Sequence, residues 1–320
     1  MTTNGYVMTV AGPIDPSTIR YTLPHEHLYT RFWEIDGRFD SPHLLDDDDV
    51  MADELSVFQR QGGNCVVDLT LPDIGRKPER LRALSEKTGL KIIMGCGWYR
   101  RLYYLPEEGL ERRPVRDLAA ELLREIREGV GDTGIRPGVI GEIGCEKSWV
   151  SPVEERVHRA AARAQRETGL GLVTHSRLSE VALEQLTIFE DEGADLSRVV
   201  IGHCDSHPYL DYYLRILDRG AWLSFDNIGS ATTLGHAPAG KHHDRLADLI
   251  VKLIERGFAN RILLSHDVCE SFQLRYYGGA GFGFLFEHFL PMLRARGVEQ
   301  EMIDCLTQGN PRRWLSVHAT

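Results

Sequence analysis

Eight short apolar runs recur along the chain, each followed by a longer stretch patterned at helical spacing. The runs fall at 21–28 (YTLPHEHL), 65–70 (CVVDLT), 91–97 (KIIMGCG), 138–144 (GVIGEIG), 171–175 (GLVTH), 199–203 (VVIGH), 221–226 (AWLSFD) and 261–267 (RILLSHD). Near-continuous apolar runs of this length suit strands covered on both faces, as in a parallel sheet. The segments between them read as amphipathic helices. The stretch 47–63 starts on aspartates and stops on glycine, as helix ends prefer. The stretch 151–169 opens Ser-Pro-Val-Glu, which places a serine cap, a first-turn proline and a glutamate three residues after the cap. The stretch 179–193 repeats that scheme, and 242–257 and 283–297 supply late helices.

Eight strands alternating with helices predict an α/β chain folded as a (β/α)8 TIM barrel, one domain over 1–320. A doubly wound open sheet is the competing arrangement. No linker, low-complexity tract or short repeat divides the chain.

Composition narrows the function by exclusion. A net charge of −10 argues against a nucleic-acid or anionic-membrane surface, which needs clustered Lys and Arg. No run approaches the roughly 18 apolar residues of a membrane span. The N-terminus has neither the basic start nor the long apolar stretch of a secretion signal. Six scattered cysteines, with no C-x-x-C pair, suit a reducing cytoplasm better than a disulfide framework.

In a barrel of this kind the active site lies at the carboxyl ends of the strands, and there the runs share a chemistry. The first carries His25-Glu26-His27. Alternation puts the two histidines on one face and turns Glu26 away. The fourth carries Glu142, the fifth ends on His175, the sixth on His203 and the eighth on Asp267. A lone His-x-His is a weak sign, and a lone acid at a strand end is often a helix cap. Four histidines and two carboxylates at the same end of five strands form a set suited to zinc, manganese or cobalt.

With those residues placed, the chain resembles the phosphotriesterase family of the amidohydrolase superfamily. GPIDPSTIRYTLPHEHL, VTHSR, DLSRVVIGHCD, ILLSHDVC and GNPRRWL are similar to that family's segments, in its order. The best-known members carry a strand-four lysine, carboxylated to bridge two metals. Here the matching position is Glu142, as in the branch of phosphotriesterase homology proteins, and a glutamate is already a carboxylate. Lys147 lies too far along to replace it, and Glu146 reads as a loop or cap residue.

The resemblance implies a binuclear hydrolase holding two divalent cations about 3.5–4 Å apart. Zinc is the first choice; manganese and cobalt are alternatives. His25, His27 and Asp267 would hold the buried ion and His175 and His203 the exposed one, with Glu142 and a hydroxide bridging. Asp267 would move the proton. The substrate would be a small polar lactone or carboxylic ester, or else a small amide, with weak phosphotriester hydrolysis as a further alternative. A non-catalytic binding barrel would have no need of Asp267. The resembling family implies a homodimer, to which Phe32 and Trp33 could contribute apolar surface.

Loops after the strands supply candidate substrate contacts: Trp98, Tyr99 and Arg100 after the third, Asn227 after the seventh, Arg275 after the eighth. Tyr99 matches a substrate-contacting tyrosine of related lactonases, although these aromatics could equally pack the mouth. Arg100 and Arg275 suit a carboxylate or phosphate, or plain solvation. Asn227 stands where those lactonases have arginine. His236, His242 and His243 read as loop residues, not ligands. His266 should face away from Asp267. Cys204 and Cys269 read as small buried side chains.

Overall fold

A computed structural model describes residues 5–32, 44–230 and 239–317. The eight runs form eight parallel strands: β1 (Tyr21–Glu26), β2 (Gly63–Asp68), β3 (Lys91–Cys96), β4 (Val139–Gly144), β5 (Gly171–His175), β6 (Val199–Ile201), β7 (Trp222–Phe225) and β8 (Ile262–Leu264). Each pairs with its sequence neighbour, and the sheet curls into a barrel. The seam between β8 and β1 is closed beyond the ladder. Asp267 N–H donates to His25 C=O (3.2 Å) and His27 N–H to Val268 C=O (3.0 Å).

Helices fill the connections: α1 (Asp48–Arg60), α2 (Pro78–Thr88), α3 (Val115–Glu128), α4 (Pro152–Thr168), α5 (Val181–Asp191), α6 (Leu210–Asp218), α7 (Ala239–Glu255) and α8 (Leu290–Ala295). Two short ones, α9 (Gln300–Asp304) and α10 (Asn310–Leu315), end the chain's described part. The expected ends are present at α1, where Asp47 accepts from Asp49 and Val50 N–H. At α4 the Glu154 carboxylate accepts from Ser151 N–H and Oγ–H, and Gly169 turns left-handed after the last turn. The start of α5 differs: its first turn follows Glu180 with no side-chain cap. None of the described helices is long and apolar enough to cross a membrane.

Two of the runs that outlast their strands end in left-handed backbone. β6 stops at Ile201 and β8 at Leu264, because His203 (φ 57°) and Asp267 (φ 53°) adopt left-handed backbone. That conformation costs a non-glycine residue about 1–2 kcal/mol, and residues held in it cluster at functional sites.

Inside the barrel, alternate residues of the strands meet in an apolar layer: Val67, Ile93, Val139, Val173, Val200, Trp222 and Leu263. Trp314 of α10 plugs this layer from below. It fits because residue 171 is glycine; a Cβ there would lie 2.4 Å from the indole Nε1. The buried histidines and carboxylates lie above the layer.

Candidate metal centre

The alternation that builds the apolar layer also places the site. Two residues beyond Val173 comes His175, and four beyond Leu263 comes Asp267, on the same inward face. The six predicted side chains meet here. Glu142 Oε1 lies 2.8 Å from His175 Nδ1, 2.7 Å from His203 Nε2 and 3.7 Å from His25 Nε2. Asp267 Oδ1 lies 3.3 Å from His27 Nε2 and 3.6 Å from His25 Nε2. Three sets each bring one donor atom per residue within 4.8 Å of one another: His25, His27 and Glu142; His25, His203 and Asp267; Glu142, His175 and His203. The sets overlap, so the six form one continuous cluster.

The donors fit divalent cations. Four imidazole nitrogens and two carboxylates suit zinc or manganese. His25 Nε2 and Glu142 Oε2 are fully buried and accept or donate no hydrogen bond; such atoms are costly unless something of opposite charge faces them. Charge balance shows the same demand. Burial opposes ionisation of Glu142, yet the His175, His25 and His203 imidazoles hold it well below the usual carboxylate range. Burial also opposes the His203 cation, but the Asp226 and Glu142 carboxylates outweigh it and push His203 up to about 10. At His175 burial wins, and it falls to about 3.

A second set of residues aims the ligands, and most of it escaped the sequence reading. Asp226, just past β7, accepts from His203 N–H (3.0 Å) and from His203 Nδ1–H (2.8 Å), and its other oxygen lies 2.8 Å from His25 Nδ1. Both rings therefore turn Nε2 inward. Thr70 donates to Asp68 (2.9 Å) and sits 3.0 Å from His27 Nδ1, which fixes the third ring. Glu26, turned away as expected, accepts from Ser265 Oγ–H, His266 N–H, His266 Nδ1–H and Val268 N–H. It thereby grips the turn that carries Asp267. His266 completes this grip by accepting from Leu285 N–H (2.9 Å). Asp226 could have been found from alternation alone, since Trp222 faces inward and residues 224 and 226 follow it.

Five of the six ligand candidates are almost completely buried; the Asp267 side chain is 13% exposed, at the base of a cavity of about 240 Å3. Its wall includes Phe32, Tyr99, Arg100, Tyr103, Arg177, Cys269, Glu270 and Gln273. Tyr99 Oη lies 3.1 Å from His175 Nδ1. Tyr99 and Arg100 are thus at the cavity as expected, and Arg177 and Gln273 are additions.

Three expected contacts are corrected. Trp98 points the other way along its strand-end from Tyr99 and is buried in the hydrophobic core. Asn227 is buried behind the site, donating to Asp205 (2.9 Å), so it backs His203 instead of facing the cavity. Arg275 lines a neighbouring cavity of about 510 Å3 and pairs with Glu287 and Ala280 C=O. That larger cavity lies beside the six side chains, not over them. Phe32, expected at an interface, packs on the rings of His27, Tyr99 and Tyr103. Trp33 and His236 lie outside the described residues. His243 accepts from Gly229 N–H, Cys204 is buried, and Lys147 is exposed on the outside.

A parallel barrel with a buried His/carboxylate cluster at the strands' carboxyl ends defines a metal-dependent hydrolase architecture. The chain belongs to the phosphotriesterase family, whose model matches residues 5–315. It is 33% identical over 294 residues to the phosphotriesterase homology protein of Escherichia coli, covering 92% of this chain and 97% of that one. It is 30% identical over 350 residues to the N-acetyltaurine hydrolase of Homo sapiens, covering 98% of both. Among solved structures, a resiniferatoxin-binding protein from Rhodobacter sphaeroides superimposes with TM-score 0.88 at 35% identity, over 97% of this chain and 95% of that one. A lactonase from Listeria monocytogenes superimposes with TM-score 0.89 at 25% identity, over 98% and 100%. The expected family and fold hold; these relatives make the chain a hydrolase of the metal-dependent kind.

Proposed function

We propose that the chain is a binuclear metal-dependent hydrolase that cleaves the acyl C–N or C–O bond of a small polar substrate. The observation that carries this is the convergence of His25, His27, Glu142, His175, His203 and Asp267 beneath one small cavity, with His25 Nε2 and Glu142 Oε2 buried and unpartnered. Glu142 lies between the His25/His27 pair and the His175/His203 pair and would hold both ions. When bound, divalent cations lower the pKa of water toward neutrality and polarise a carbonyl oxygen.

The chain's own residues do the rest. Asp226, Thr70 and Glu26 fix the ligands' orientation so that no reorganisation accompanies reaction. Asp267 faces the cavity and takes the attacking water's proton on its carboxylate, then returns it to the leaving group. Phe32, Tyr99 and Tyr103 keep bulk water off that exchange.

Two bonds compete. An amide C–N bond comes first, because N-acetyltaurine hydrolases match this chain along its length. A lactone or carboxylic ester, favoured from the sequence, comes second on the likeness to the Listeria lactonase. The cavity falls below the ~300–1,000 Å3 of drug-sized sites, so long acyl chains fit poorly. The test is a panel of small amides, esters and lactones with protein stripped by chelator and reloaded with zinc, manganese or cobalt. Cation-dependent turnover of one class is the expected result. A protein that binds no cation and gains no activity on reloading would sink the proposal.

A further inference from the structure

Three of the ligand candidates, His175, His203 and Asp267, form the cavity's floor, but its wall carries a guanidinium that they do not use. Arg100 is held in place from three sides. Its guanidinium carbon lies 4.8 Å from the centre of the Tyr99 ring and 5.2 Å from that of Tyr103. Its stem crosses the end of β4 in a space that exists because residue 144 is glycine; a Cβ there would lie 2.6 Å from Arg100 Cγ. Gly144 N–H donates to Tyr99 C=O (2.7 Å), which locks the loop to the strand. A guanidinium stacked in this way has lost its freedom before any ligand arrives.

Its guanidinium meets the Tyr103 hydroxyl but, among the described residues, no carboxylate at hydrogen-bond distance. The nearest acid, Glu146, has its carboxylate oxygen 3.7 Å from Arg100 Nη1, beyond hydrogen-bond length, and the buried Nε has no partner. The guanidinium borders the same cavity as His175, His203 and Asp267. Glu270, at the cavity wall, accepts from Gln273 N–H at its own turn. Arg177 adds a second cation to that wall.

We propose that Arg100 is an anion subsite: it binds a carboxylate, sulfonate or phosphate at the end of the substrate remote from the bond that is cut. An acid group with two oxygens matches the planar fork of the guanidinium, which a neutral amide or alcohol cannot do. The placement also sorts the two ends of the substrate, the carbonyl toward the floor and the anion toward β3 and β4. The inference rests on the proposed function for what is cut, and not for what is bound.

The test is therefore a binding measurement. Propane-1-sulfonate and methyl propyl sulfone, nearly equal in shape, are titrated into zinc-loaded protein, Arg100→Gln and Arg100→Lys. The sulfonate should bind wild type at least about tenfold tighter than the neutral sulfone. Arg100→Gln should erase that preference while zinc content and sulfone affinity stay put, and Arg100→Lys should restore part of it. Equal affinities in wild type, or an undiminished preference in Arg100→Gln, would overturn the subsite, since the anion would then sit on the cations. Should Arg100→Gln fail to hold zinc, the Lys variant decides: it keeps charge without the fork, so an unweakened preference there rejects the assignment. Arg100-dependent binding without turnover of any ester or amide would count against the proposed function alone.

Discussion

At the floor of the barrel Val173 and Leu263 belong to an apolar cluster; at its mouth, on the same strands, His175 meets the Glu142 carboxylate and Asp267 meets the His27 imidazole. The floor is held by burial, which is non-directional and accepts any close-packed shape. The mouth is held by named partners at fixed distances: Asp226 for His203, Thr70 for His27, Glu26 for the Asp267 turn. A strand can change from one regime to the other within two residues because its inward face continues upward while its surroundings change. The difference teaches which end carries stability and which carries chemistry, and mutations should separate them.

The largest expected effect is at the mouth. Asp267→Asn keeps the shape but removes the proton acceptor, so turnover should fall by about 10²–10⁴-fold, even in protein reloaded with excess cation. Wild-type turnover in that variant would refute the assignment. Next, Asp226→Asn should lower cation affinity by about 10–100-fold, since one of the two carboxylate oxygens facing the His203 and His25 Nδ1 atoms becomes an NH2 group; competition with a chelator of known affinity measures this. At the floor, Trp314→Ala should cost about 3–5 kcal/mol in denaturant unfolding and leave cation affinity unchanged, because the indole is buried below the apolar layer. If it also loosened the cations, the two ends would not be separable.

The smallest effect concerns pH. Asp73 lies between the regimes: burial pushes its carboxyl up to about 7, and it accepts from Tyr99 N–H. A folded-state value above the unfolded one means the fold binds the extra proton. The stability Asp73 contributes is then complete below about pH 4 and is lost as pH rises through 7. Asp73→Asn should remove that slope, so the melting temperatures of variant and wild type should draw together or cross as pH rises from 5 to 8. A constant difference would place the titration elsewhere.

Much of this was legible in the sequence for a physical reason. Inward strand-end residues lie on the same face as the apolar run that announces the strand, so His175 and Asp267 could be read from position alone. The supporting groups were hidden because they act across strands. Glu26 reaches the β8 turn, Asp68 reaches Leu28 and Thr70 reaches His27, pairings that alternation does not encode. Trp98 failed by one residue of register, and Arg275 failed because its partner Glu287 comes from a different turn of the chain. The left-handed residues were also invisible. His203 and Asp267 continue apolar runs in the sequence, but the backbone has already left the strand.

The seam between β8 and β1 has a mechanical consequence. Its two closing hydrogen bonds belong to His25, His27, Asp267 and Val268, so the barrel is fastened by the same short segments that present three of the ligand candidates. The cylinder's weakest joint and the site's grip are one piece of backbone. Spreading that joint would spread the ligands, and drawing the ligands together would tighten the cylinder. Amide hydrogens of His27 and Asp267 should therefore exchange more slowly once cations are added, and the whole fold should gain resistance to unfolding from a change confined to one edge.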